Sequence, residues 1–306
     1  MKHLLGLNNI SAAEITQILD LAAQMKSQIK SGDKKTSNLV GKSVVNLFYE
    51  ASTRTRLSFE LAGKYLGADV ANIVASGSSV SKGESLIDTA RTIDAMMPDV
   101  IVVRHQNSGA AKLVSENVSA SVINAGDGMN EHPTQALLDM LTIREAKGKI
   151  EGLKVAIVGD IAHSRVARSN IYGLTKMGAN VALAAPKTLI PQGVELLTQL
   201  PGSCVICDNV EDAILGADVV MTLRIQQERL KSDLFPSLGE YAKCFGINDE
   251  RVKMAKVDAI LMHPGPINRG VELTSSVADG VQSLIDEQVT SGVAVRMAVL
   301  ELLATR

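Results

Sequence analysis

Tryptophan is absent from the sequence, and tyrosine and phenylalanine number only four each among 306 residues. So thin an aromatic complement leaves no platform on which single-stranded nucleic acid could stack. An excess of charge is missing too. Lys and Arg total 31 against 33 Asp and Glu, a net of −2, which argues against the basic domain of a general nucleic-acid binder. No apolar run approaches the roughly 18 residues of a membrane span. Near the start, the apolar run Leu4-Leu5-Gly6-Leu7 is shorter than the roughly 7–15 residues of a secretory signal core. Cysteines number three, an odd count that fits a reducing cytoplasm better than a disulfide framework. The expectation is a cytoplasmic protein with no nucleic-acid or membrane partner.

What is present is length and alternation. A chain of 306 residues, 46% apolar, is enough for about two domains. Ser11 with Glu14 reads as a capping box, and Ile15, Ile18, Leu19, Ala22, Met25 and Ile29 then follow helical spacing up to Gly32. Strands are expected at Ser43–Tyr49, Val70–Val74, Val100–Val103 and Ser121–Asn124. Helices are expected at Thr53–Leu66, Glu84–Met97 and from Pro133 to about Ala146. After a hinge-like Gly148-Lys149-Ile150-Glu151-Gly152, a second series begins. Its strands are expected at Lys154–Val158, Asn180–Ala184, Cys204–Ile206, Asp218–Thr222 and Asp258–Met262, with helices between them, and a long helix closes the chain over about Val281–Thr305. Near-continuous apolar strands separated by helices mean parallel sheets covered on both faces. The fold class is therefore α/β: two doubly wound parallel-sheet domains joined by a hinge, with the C-terminal helix returning to the first. The domains are expected at 1–147 plus about 284–306, and at 148–283.

Open parallel sheets bind ligands beyond the carboxyl ends of their strands, and the residues there are unusually cationic. Ser52-Thr53-Arg54-Thr55-Arg56 opens a helix with hydroxyls and two guanidiniums. Two arginines in a first turn oppose the helix dipole, so an anion, most simply a phosphate, accounts for them. Ser76–Ser85 is a glycine- and serine-rich loop carrying Lys82. Arg104 ends a strand. His132-Pro133-Thr134-Gln135 places a histidine and a glutamine at a helix start, a donor for a carbonyl oxygen and an acceptor for an amide. Gly159 to Arg165 follows the strand at 154–158, yet G-x-G-x-x-G is missing and an arginine stands at the helix start instead, so no nicotinamide cofactor is expected. Arg224 and Gln226 lie two apart in the loop after 218–222, and His263-Pro264-Gly265-Pro266 makes a rigid turn after 258–262.

Cys204 and Cys207 match C-x-x-C but lie in an expected strand with no second pair, so neither metal nor redox chemistry is read from them. With no clustered metal ligands and no nucleophile beside a base, the expected chemistry uses no cofactor. It is group transfer by positioning and charge stabilisation between small, multiply anionic substrates.

These motifs in this order, S-T-R-T-R, K-G-E-S, H-P-T-Q-A-L-L-D and R-x-Q-x-E-R, resemble the aspartate/ornithine carbamoyltransferase superfamily, and within it the aspartate carbamoyltransferase catalytic chain. The resemblance covers nearly the whole chain. It implies that the first domain binds carbamoyl phosphate and the second aspartate, and that the activity is transfer of the carbamoyl group to L-aspartate in pyrimidine synthesis. By this resemblance Ser52, Thr53, Arg54 and Thr55 hold the phosphate, Arg104 and His132 the carbonyl oxygen, and Gln135 the amide. Arg165, Arg224 and Gln226 hold the aspartate carboxylates, and Pro264 and Gly265 offer backbone carbonyls. Ser78 and Lys82 come from a neighbouring subunit, Lys82 touching both substrates, which implies a homotrimer with shared sites. The resemblance leaves room for a regulatory chain or a dihydroorotase as partner. Ser81 stands where some relatives carry a second lysine. The alternatives are an ornithine carbamoyltransferase, which shares the phosphate half, and a silent assembly subunit; intact Arg54, Lys82, His132 and Arg224 argue against the latter.

Overall fold

The computed structural model describes residues 1–74, 84–225 and 237–305. They divide into two units, Met1–Leu141 with Thr290–Arg306, and Thr142–Val289. The divisions fall inside two helices, α5 (Pro133–Lys147) and α11 (Ile285–Ala304).

In the first unit, β1 (Ser43–Phe48), β2 (Asp69–Val74), β3 (Val100–His105) and β4 (Ser121–Asp127) form a wholly parallel sheet in the order β2-β1-β3-β4. The composition of β3 explains its central place. Val100, Ile101, Val102 and Val103 are all fully buried, so both faces need cover. Helices α1 (Ala12–Ser31), α2 (Thr53–Tyr65), α3 (Leu86–Asp94) and α4 (Ala110–Ser115) belong to this unit. Each aliphatic side chain so enclosed contributes about 1.5–3 kcal/mol relative to exposure. The capping box is formed: Ser11 Oγ accepts from Glu14 N at 3.2 Å, Glu14 Oε2 accepts from Ser11 N at 2.9 Å, and Gly32 ends α1 in the left-handed region.

The second unit carries β5 (Lys154–Val158), β6 (Asn180–Ala184), β7 (Ser203–Ile206), β8 (Val219–Thr222) and β9 (Ile260–Met262), again all parallel, in the order β7-β6-β5-β8-β9. Helices α6 (Arg165–Lys176), α7 (Val210–Ile214), α8 (Leu238–Phe245), α9 (Asp249–Val252) and α10 (Ser275–Ala278) accompany them. Each sheet is thus doubly wound. The strand order reverses between β1 and β3 in one and between β5 and β8 in the other, and crevices for ligands open at such reversals.

Several expected elements are corrected. The helix expected over Glu84–Met97 spans only Leu86–Asp94: Ser85 caps it, and Pro98 disfavours helical backbone at Met97, which turns to φ 60°. Between β6 and β7 there are two short 3-10 turns, Lys187–Leu189 and Val194–Leu197, rather than a helix, because Pro186, Pro191 and Gly193 interrupt the segment. Strand β9 holds three residues, since Asp258 turns out to solvent beside Lys147 at 2.8 Å. The last helix begins at Ile285, and Val289, expected on its apolar face, is exposed.

Candidate active site

In the first unit, the ends of β1, β3 and β4 converge on one cation. Ser52 caps α2, its Oγ accepting from Thr55 N at 3.3 Å. The first turn of α2 holds no acidic residue to answer its positive end, and Glu60, one turn beyond Arg56, feels the charge of that arginine. Arg104, at the end of β3, pairs in register with Phe48 of β1. Its guanidinium donates to Thr55 Oγ1 and to Ala125 O, both at a long 3.4 Å, and forms a 2.7 Å ion pair with Glu50. Arg104 thereby ties the start of α2 to the end of β4. Thr55 is buried, while Thr53 and Arg54 face outward.

His132 is 4% exposed and stands immediately before α5. One turn in, the Gln135 amide donates to Asp139 Oδ1 at 3.0 Å. An ionised carboxylate accepts and cannot donate, so the NH₂ of Gln135 faces Asp139 and its oxygen is directed to accept from another group. Ser52, Thr55 and Arg104 are thus joined by direct contacts, and His132 and Gln135 stand just before and in the first turn of the helix that follows the next strand.

In the second unit, β5 and β8 run side by side, Val158 opposite Thr222. Gly159 has φ +135°, and a Cβ there would lie 2.9–3.3 Å from Leu223 atoms, so only glycine lets the two strand ends pass so closely. Asp160 accepts from His163 N at 3.0 Å and contacts its Nδ1 at 3.0 Å. Ser164 then caps α6, and Arg165 is its first residue, 6% exposed. Arg224 is half-buried, two residues past β8.

A residue that sequence reasoning missed fixes this segment. The Glu272 carboxylate accepts from Ile225 N at 3.0 Å, Asn268 N at 3.0 Å and Asn268 Nδ2 at 2.8 Å, and Asn268 Nδ2 also donates to Ile225 O at 3.3 Å. Burial of Glu272 (1% exposed) raises its pKa against the pull of those donors. It fastens the chain after β8 to the chain after β9. In the latter, His263 Nδ1 accepts from Gly265 N at 2.8 Å, and His263 N donates to Gln288 Oε1 at 3.0 Å, holding the turn that presents Pro264 and Gly265.

Ser78, Lys82 and Gln226 lie outside the described residues. Cys204 and Cys207 are both unpaired; burial pushes the Cys204 thiol up to about 11 and raises that of Cys207, the opposite of a reactive thiolate. Among the described residues no group of three His, Cys, Asp or Glu is placed to hold a metal ion, and no helix is long and apolar enough to cross a membrane.

Residues 2–145 match the family model described as the carbamoyl-P binding domain of aspartate/ornithine carbamoyltransferase, and residues 151–303 match its Asp/Orn binding domain. The chain is 63% identical, over its full length and 96% of the relative's, to an aspartate carbamoyltransferase catalytic subunit of Ruminiclostridium cellulolyticum. Among solved structures it resembles aspartate transcarbamoylase from Trypanosoma cruzi in complex with carbamoyl aspartate and phosphate (TM-score 0.89, 32% identity, covering 98% of this chain and 95% of that one). It resembles ornithine carbamoyltransferase from Pyrococcus furiosus as closely in shape (TM-score 0.90, 32% identity, 99% and 97%).

Proposed function

The chain belongs to the aspartate/ornithine carbamoyltransferase family, and on that footing we propose how its residues divide the work of an aspartate carbamoyltransferase. The reaction transfers the carbamoyl group of carbamoyl phosphate to the amino group of L-aspartate, giving N-carbamoyl-L-aspartate and phosphate, in pyrimidine biosynthesis. Shape alone does not choose the acceptor, because both family branches share it. The observation that carries the choice is the pair Arg165 and Arg224, leaving from the ends of the adjacent strands β5 and β8. Two guanidiniums suit two carboxylates, whereas the cationic side chain of ornithine would be repelled.

The first unit takes carbamoyl phosphate and the second takes aspartate. The phosphate sits on the hydroxyls and N–H groups of Ser52, Thr53, Arg54 and Thr55 at the head of α2. Arg104 and His132 donate to the carbamoyl oxygen, and the Gln135 oxygen accepts from the carbamoyl NH₂. Arg165, Arg224 and Gln226 grip the aspartate carboxylates, with the carbonyls of Pro264 and Gly265 beside them. The deprotonated amine attacks the carbamoyl carbon. Charge gathers on the carbonyl oxygen, where Arg104, His132 and the Thr55 hydroxyl stabilise it. The carbon–oxygen bond to phosphate then breaks, and phosphate leaves with the electron pair and takes up a proton. Ser78 and Lys82 enter from a neighbouring chain of a cytoplasmic homotrimer. Purified protein supplied with carbamoyl phosphate is expected to release phosphate in the presence of L-aspartate and not of L-ornithine; the reverse preference would reject this reading.

Glu272 bears on the aspartate half. Its carboxylate accepts from Ile225 N, next to Arg224, and from two donors of Asn268, and each hydrogen bond to a charged group contributes about 1.5–3 kcal/mol. Glu272→Ala is therefore expected to raise the KM for aspartate on the order of tenfold or more, with inorganic phosphate binding on the free enzyme unchanged. Steady-state kinetics and phosphate titration read the two halves separately; equal weakening of both would place Glu272 elsewhere in the account.

A further inference from the structure

Arg296 is a charge in an otherwise apolar stretch of α11, between Val295 and Met297, both fully buried. It is itself only 4% exposed. Its Nη1 donates to Ser58 Oγ at 2.9 Å, and its guanidinium carbon lies 5.2 Å from the Phe59 ring centroid. Its Nε is buried without a hydrogen-bond partner among the described residues, and no ion pair there includes it. One turn earlier, Gly292 clears its path: a Cβ there would lie 2.6 Å from Arg296 Nη1 and 3.1 Å from Leu138 Cδ2.

The charges around it do not cancel. Burial and the positive charge of Arg104 lower its pKa to about 9, against the opposing pull of Asp139. Asp139 already accepts from Gln135, and Glu50 already pairs with Arg104. A buried cation without a contact anion is costly, and an apolar side chain of similar volume would serve packing better. Something must favour the charge. Ser58 and Phe59 lie one turn along α2 from Ser52–Thr55, and Arg104 contacts Thr55 directly.

We infer that Arg296 is a positioning residue for the phosphate half, its buried charge answered by the bound phosphate dianion through α2 and beside Arg104. This rests on the reading that Ser52–Thr55 and Arg104 hold the phosphate. Among the described residues the surroundings of Arg296 are thereby one anion short until substrate arrives. The same guanidinium that costs stability in the empty enzyme strengthens anion binding.

The test is calorimetric titration of the full chain, in its native assembly, with inorganic phosphate at low ionic strength. Thermal melts with and without phosphate accompany it. Arg296→Met, which keeps the stem and removes the charge, is expected to weaken phosphate tenfold or more, tenfold being the effect of one unit charge about 12 Å from a unit anion at an effective dielectric of about 20. Arg296→Lys, which keeps the charge, and Ser58→Ala, which removes only the hydroxyl, are each expected to stay within about threefold, well under the tenfold step. Without phosphate, Arg296→Met is expected to melt no lower than the parent, and phosphate is expected to raise its Tm less. A merely structural arginine predicts the opposite: a lower Tm, or a protein that does not fold, with Ser58→Ala and Arg296→Lys weakened alike. Either result overturns the inference, as does unchanged phosphate affinity in Arg296→Met. Arg54→Ala is the control. If it loses phosphate while Arg296→Met does not, only the role of Arg296 fails. If Arg54→Ala binds phosphate like the parent, the assignment of the phosphate site itself fails.

Discussion

Lys82→Ala and Arg54→Ala proteins, each nearly inactive alone, are expected to regain activity when their subunits are exchanged. Arg54 stands at the head of α2, on the strand-end edge of its sheet, with Arg104 fixed nearby by Glu50 and Thr55. Lys82 belongs to the glycine- and serine-rich stretch Ser76–Ser85. On the proposed reading Lys82 serves the site of a neighbouring chain. In a cyclic trimer each site would pair Arg54 of one chain with Lys82 of the next, a head-to-tail arrangement. A trimer holding both mutant types then contains one site in three where the two intact residues meet. Activity from mixed trimers well above the sum of the parents supports shared sites. No gain, with exchange proven by native mass, means that Lys82 serves its own chain.

Arg224→Ala is expected to abolish useful turnover with aspartate and to leave phosphate binding nearly intact. Removing one partner of a charge-assisted pair in an enclosed site costs about 2–5 kcal/mol, a loss of roughly thirtyfold to several thousandfold. Arg224 is half-buried and its backbone neighbour is anchored by Glu272, so the guanidinium is well placed to lose little entropy on binding. The discriminating measurement compares kcat/KM for aspartate with the Kd for inorganic phosphate in the same preparation. Equal loss of both would remove Arg224 from the aspartate half.

Where side chains speak only to their sequence neighbours, the sequence was readable. Strands β5 and β6 lie where the apolar runs stand, because both faces of a central parallel strand are buried and hydrophobicity alone marks them. The cap of α1 was legible because Ser11 and Glu14 meet three residues apart. The cationic strand ends were legible because topology places such residues at one edge. What was not legible depends on distant partners. Glu272 reaches Ile225 across 47 residues, and Arg296 reaches Ser58 across 238, so no local pattern announces either. Arg296 did leave a trace: a lone charge among apolar residues of a helix, four positions after a glycine. Helix ends were blurred for a related reason, since Pro98 and Pro186 act on the backbone of residues that otherwise fit a periodic pattern.

The most direct measurement of the central claim is product identity. Protein incubated with carbonyl-labelled carbamoyl phosphate and equal L-aspartate and L-ornithine, followed by carbon NMR and phosphate assay, is expected to accumulate N-carbamoyl-L-aspartate with one phosphate released per molecule formed. Label appearing in carbamoylated ornithine, or phosphate released without a carbamoylated amino acid, would contradict the account.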